Sequence, residues 1–187
     1  MKRYPLVLLL LLTIISAQAQ KPDEPIPVTP ALLQKFNAEI EAELPAFTVR
    51  YEKDNSERTD KFDDGIKFAV DTFKIERMMV KCMDADYSTA GMNKAVYEAA
   101  GKYDALMNKY YKLLSAKLQT ADRLTLISAQ KSWLAFRDSE VKLYQMLRKE
   151  NYSGGGTIQS IFMSAMYLDM VKTRTLTLFE YYSDLYN

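Results

Sequence analysis

Between residues 92 and 113 the apolar side chains fall at Met92, Val96, Ala99, Tyr103, Leu106, Tyr110 and Leu113, in alternating steps of four and three. Side chains spaced this way share one face of an α-helix, and a seam sustained for three heptads must find another helix to cover it. A chain built around such a segment is committed to helix-on-helix packing. Strand-like alternation is nearly absent elsewhere, so the expected fold is all-α.

The flanking sequence divides by its punctuation. Asp71 reads as the N-cap of a helix through Phe73, Arg77, Val80 and Met83 that ends near Asp84. "YSTAG" follows, and Ser88 or Thr89 caps the long seam helix. "LQTADR" is the next break, with Thr120 as N-cap of a helix to about Lys149 that carries Leu124, Ile127, Leu134 and Val141 on one side. Ala129, Trp133, Phe136 and Leu147 lie on an adjoining strip. So short a connection makes the two long helices an antiparallel hairpin. "NYSGGGT" turns the chain into a third, C-terminal helix, capped by Thr157, with Ile161, Ala165, Leu168, Val171 and Leu178 as its stripe.

Upstream, Leu32, Leu33, Phe36, Ile40 and Leu44 predict a short helix after Pro30 that Pro45 stops. Residues 50–64 are polar and read as loop or weak helix. Residues 20–30 hold four prolines and read as an extended, mobile lead-in. At the start, Lys2 and Arg3 precede an apolar run from Leu6 to Ile15 and the small residues Ala17 and Ala19. This is the pattern of a secretory signal peptide cleaved before Gln20, and the run is shorter than the roughly 20 residues a membrane span needs. The expected organisation is a signal peptide over 1–19, an acidic, partly ordered segment over 20–64, and a helical domain over 65–187. Export places the mature protein in the periplasm or outside the cell, with no stable membrane insertion.

Composition narrows the chemistry. There is no His, which excludes Ser/His/Asp and Cys/His catalysis and His-based zinc sites, and the single Cys82 allows no internal disulfide. Near-neutral net charge argues against nucleic acid as a partner. The charge is uneven: residues 20–64 hold 6 Lys and Arg against 11 Asp and Glu, and residues 65–187 hold 17 against 13. The acidic segment either lies on the basic part of its own chain or is offered to a basic partner. The close carboxylates Asp84 and Asp86, and Asp138 and Glu140, read as solvated faces. The Gly154–Gly156 loop reads as a flexible connection, with a protruding loop or anion nest as the alternative. No cofactor or metal site is expected.

The richest stretch is "SAQKSWLAFRD" (128–138), which holds the only Trp. "YDALMNKYY" (103–111) followed by "AQKSWLAFRD" (129–138) resembles the lysozyme inhibitor LprI-like family over residues 78–182. Its pattern is D-x-x-L-N-x-x-Y on one helix and Q-x-x-W-x-x-[FY]-R-D on the next. Asp104, Met107 (for the usual Leu), Asn108 and Tyr111 fill the first motif. Gln130, Trp133, Phe136, Arg137 and Asp138 fill the second, and "GMN" (91–93) and Arg174 also match. The family usually bears four Cys. Cys82 keeps one position, while Ala95, Val141 and Met166 stand at the others, so packing replaces covalent staples and Cys82 is a small core hydrophobe or a surface thiol.

The resemblance implies a small exported helical protein, some of whose relatives inhibit lysozyme. The expected function is a non-enzymatic binding protein with a protein partner such as a lysozyme. The alternative is an envelope structural or adaptor module that uses the aromatic surface of Tyr167, Tyr181, Tyr182 and Tyr186. Across an antiparallel hairpin, Arg137 is expected to fork onto Asp104, with Asn108 and Gln130 satisfying groups nearby. That network either fixes the register of the helices or forms a binding site.

Overall fold

A computed structural model describes residues 24–55 and 62–185. The segment expected to be a signal peptide, residues 1–19, and Tyr186 lie outside them. The described residues form six helices: α1 (Pro30–Asp54), α2 (Phe62–Ala85), α3 (Thr89–Lys117), α4 (Thr120–Leu147), α5 (Glu150–Ser153) and α6 (Ile158–Asp184). The all-α expectation holds, and several local expectations change, three of them at helix ends.

First, α1 does not stop at Pro45. Thr29 caps it by accepting from the Leu32 amide at 3.2 Å, and Pro30 suits the first turn, where no amide bond is lost. Pro45 deprives the exposed Glu41 carbonyl of its partner, but water can replace it. Beyond the proline, Phe47 stacks on Phe73 of α2 at 4.2 Å, contact enough to carry the helix to Asp54. Second, α2 begins at Phe62, well before Asp71. Asp63 and Asp64 in its first turn favour the helix N-terminus, and the expected cap Asp71 sits mid-helix, bonded to Lys109 of α3 at 2.8 Å. Phe68 explains the early start: it is buried, stacked on Phe179 at 4.0 Å and edge-on to Tyr110 at 5.2 Å. Third, Gln119 occupies the N-cap of α4, and Thr120 is its first residue.

The turn into α3 forms as expected. Ser88 accepts from the Gly91 amide and donates to Asp86 at 2.6 Å. A Cβ at Gly91 would lie 2.1 Å from the Asp86 carboxyl carbon, so the glycine of "GMN" is required sterically.

The seam of α3 is covered chiefly by α6 rather than α4. The pairs Asn93–Ser164, Tyr103–Thr175 and Tyr110–Tyr182 show that α3 and α6 run parallel. Helix α4 is the return connection: it turns back from α3 and lies antiparallel to α6. Residue size decides this. Small buried residues of α3 such as Ala100 let its backbone approach that of α6, and two buried hydroxyls stitch them: Thr175 Oγ1 donates to the Tyr103 carbonyl at 3.0 Å and Ser164 Oγ to Asn93 Oδ1 at 2.7 Å. The core comprises Phe68, Leu106, Met107, Tyr110, Leu114, Leu178 and Tyr182, with Leu126 the one buried residue of α4. Leu113, expected on the seam, is exposed, and Leu114 takes its place. Cys82 is buried with Phe36 and Ala95 where α1, α2 and α3 meet.

The acidic residues of α1 face the cations of α2. Glu41 meets Lys74 at 2.6 Å, Glu43 meets Arg77 at 2.7 Å, and Lys81 reaches Glu39 at 2.9 Å and Glu43 at 3.2 Å. The hydrogen bond from Lys81 to Glu39, and that from Arg77 to Glu43, hold these carboxyls below their ordinary value of 4.5. A depressed folded pKa adds stability that is complete above the unfolded value and is lost as pH falls. Acidification below 4.5 should therefore loosen α1 before the α3–α6 pair, seen as faster amide exchange in α1 with α3 still protected. Equal acid sensitivity of the two regions would contradict this attachment.

Candidate functional site

Most of the family-motif residues gather where α4 passes α3 and α6. Asp104, Met107, Asn108 and Tyr111 on α3 face Ile127, Gln130, Lys131, Leu134 and Arg137 on α4 across a groove of about 430 Å³. That size falls within the range of small-ligand clefts, roughly 300–1,000 Å³. Met107 is buried at its floor, and its sulfur accepts from Gln130 Nε2 at 3.7 Å.

The hydrogen bonds differ from the expected fork. Arg137 bonds its sequence neighbour, Asp138, through Nε at 3.0 Å and Nη2 at 2.7 Å. Asp104 instead accepts from Asn108 on its own helix at 3.1 Å. The α3–α4 separation is the reason: a groove stands where a tight hairpin would bring the two residues together. Gln130 is the true connector, because its Oε1 accepts from Arg174 Nε on α6 at 3.0 Å while its amide nitrogen turns to Met107. Trp133 is half-buried between two guanidinium groups, with Arg137 5.5 Å and Arg174 5.9 Å from the ring. Burial pushes the Arg174 pKa down, and among the described residues no carboxylate lies within ion-pair distance of it. The motif thus joins three helices through Met107, Gln130, Trp133 and Arg174, and presents Asp104, Asn108, Tyr111 and Arg137 to the groove.

This geometry lowers the expected weight of Arg137 in folding. Its partner Asp138 is 60 % exposed at the side chain, so losing the pair strands no buried charge. Arg137→Ala should cost no more than about 1 kcal/mol, mainly the stacking on Trp133. Chemical denaturation measures it, and a loss above about 2 kcal/mol would restore a structural role.

The other flank of α4 was harder to read from sequence. Phe136, Leu143 and Leu147 lie one and two turns apart on one side of the helix and are all exposed, as is Leu124. The sequence spacing places Phe136 and Leu147 on one strip without Leu143, and periodicity does not tell a core stripe from an open one. At the far end, Arg148 lies against the rings of Tyr144 and Phe162 and donates to Gln159 at 3.1 Å. Gly154, Gly155 and Gly156 all have positive φ, which is why three glycines stand there. The amides of Gly154 and Gly155 are already bonded to Glu150 and Ser153, so no open anion nest forms from them. The Tyr-rich face of α6 is not continuous: Tyr182 is buried and donates to Asp64 at 2.8 Å, Tyr167 is half-buried, and Tyr181 is exposed.

The described residues thus form an all-α protein with a motif-lined groove beside an open apolar helix flank. The family model for lysozyme inhibitor LprI matches residues 82–178, just over half of the chain, from the buried cysteine of α2 to the core leucine of α6. The chain belongs to the lysozyme inhibitor LprI family. No curated protein and no solved structure matches it. Among the described residues no helix is long and apolar enough to cross a membrane.

Proposed function

We propose that this is an exported, non-enzymatic binding protein that inhibits a lysozyme-type wall-degrading enzyme, with α4 as the element its partner meets. The supporting observation is that α4 runs for 28 residues with Leu126 alone buried. An isolated helix draws little stability from propensity, so a long helix with most of its apolar residues uncovered is poorly explained by the fold alone. Phe136, Leu143 and Leu147 form a convex apolar edge of the kind that seats in a cleft, and aromatic anchors dominate such interfaces.

The acidic segment is the weaker candidate for the binding surface, because Glu39, Glu41 and Glu43 are engaged by α2. In the same reading residues 1–19 are removed on export, α1 within the acidic segment buttresses α2, and the helical domain that follows carries the interface. Immobilised protein should capture a lysozyme from a panel of animal and bacterial enzymes and slow its hydrolysis of cell walls. The double variant Phe136→Ser, Leu143→Ser should lose capture while remaining helical. Capture by the double variant at undiminished affinity would remove α4 from the interface, and no capture from the whole panel would remove the inhibitor reading.

A further inference from the structure

The groove carries an excess of positive charge that the fold leaves partly unspent. Its α3 wall contributes one carboxylate, Asp104, already occupied by Asn108. Its α4 wall contributes Lys131 and Arg137, with Arg174 behind them. Among the described residues Lys131 meets no carboxylate, and Arg137 holds only exposed Asp138, which water can replace at little cost. Apolar Met107, Ile127 and Leu134 alternate with these polar groups, so a ligand would bury carbon as well as charge. The guanidinium of Arg137 is pre-positioned on Trp133 and its side chain is only 18 % exposed, so less freedom is lost when it binds.

We propose that the α3–α4 groove binds a carboxylate-bearing peptide segment of a partner protein, the carboxylate bridging Lys131 and Arg137. The idea rests on the reading of this protein as a protein-binding module and adds the chemistry of what is bound. Arg174 acts as a positioning residue: through Gln130 and Trp133 it holds the α4 wall in place.

Trp133 is the only tryptophan of the chain and touches Arg137, so its fluorescence reports on the site. The probe is a blocked hexapeptide containing three Glu, compared with the same peptide containing Gln. The Glu peptide should give a saturable change in Trp133 emission and bind at least about tenfold more tightly than the Gln peptide, with the difference shrinking in high salt. Lys131→Gln, at an exposed position, should weaken the Glu peptide by about fivefold, whereas Asp138→Asn should tighten it by about threefold by removing a competitor for Arg137. Equal binding of the two peptides, or affinities unmoved in both variants, overturns the proposal. Binding of N-acetylglutamate as tight as that of the Glu peptide overturns the peptide assignment in favour of a small-molecule site. Capture of a lysozyme by the same variants separates the two readings. Capture without any Glu preference would sink the groove alone, and a Glu preference without capture would sink the inhibitor reading alone.

Discussion

Leu178→Ala is expected to destabilise the protein by about 3–4 kcal/mol, while Phe136→Ala changes stability by less than about 0.5 kcal/mol. The two residues look alike in sequence: each is a large hydrophobe on an amphipathic helix of similar length. Leu178 is 0 % exposed, in the core shared by α2, α3 and α6, where truncation removes buried surface and leaves a cavity. Phe136 is 55 % exposed, and solvent refills the space it vacates. Urea unfolding of the two variants at neutral pH measures both values. A loss of 2 kcal/mol or more at Phe136 would mean that α4 is held tightly against the bundle in solution, and the case for its outer flank as a partner surface would collapse. A small loss at Leu178 would challenge the parallel α3–α6 pair itself.

That contrast also shows where sequence reasoning ran out. The seam of α3 was legible because its period is a local property, and Val96, Ala99, Tyr103, Leu106 and Tyr110 are all buried as the spacing required. The identity of the helix that covers it was not local. Connection length favoured α4, two residues away, but side-chain volume favoured α6. The signal for α6 was masked, because two of its most buried positions are Ser164 and Thr175, which a hydropathy pattern scores as surface. They are buried because each hydroxyl is satisfied, Thr175 by the carbonyls of Val171 and Tyr103 and Ser164 by Asn93 and Ile161. The motif residues were legible as a group from the family pattern, and the structure brings most of them together around the α3–α4 groove, with Phe136 on the opposite flank of α4 and Gly91 and Asn93 at the start of α3. Their bonding was not legible: whether Arg137 takes Asp104 or Asp138 depends on a helix separation that no spacing encodes. The charge imbalance did carry its message, since one of its two readings, the acidic segment lying on its own chain, describes the α1–α2 ion pairs.

Ala95→Cys tests how this chain manages without covalent staples. Ala95 stands where the family resemblance places a cysteine, and it packs in one buried cluster with Cys82. Cys82 is the only thiol, and burial raises its pKa, so in the native protein it is shielded and slow to react. A second thiol at 95 would face the first across the α2–α3 turn. Under oxidising conditions the variant should lose both free thiols and gain about 3 kcal/mol, the stabilisation expected for closing a loop of about 15 residues in the unfolded chain. The gain should vanish with reductant, whereas the parent protein should unfold identically with and without it. Thiol titration in denaturant, paired with unfolding in both redox states, reads each step separately. If the bond forms but stability falls, the α2–α3 packing around Ala95 has closed below disulfide spacing. If both thiols persist, Cys82 and residue 95 do not face one another, and the apolar cluster is a replacement for the staple in composition only.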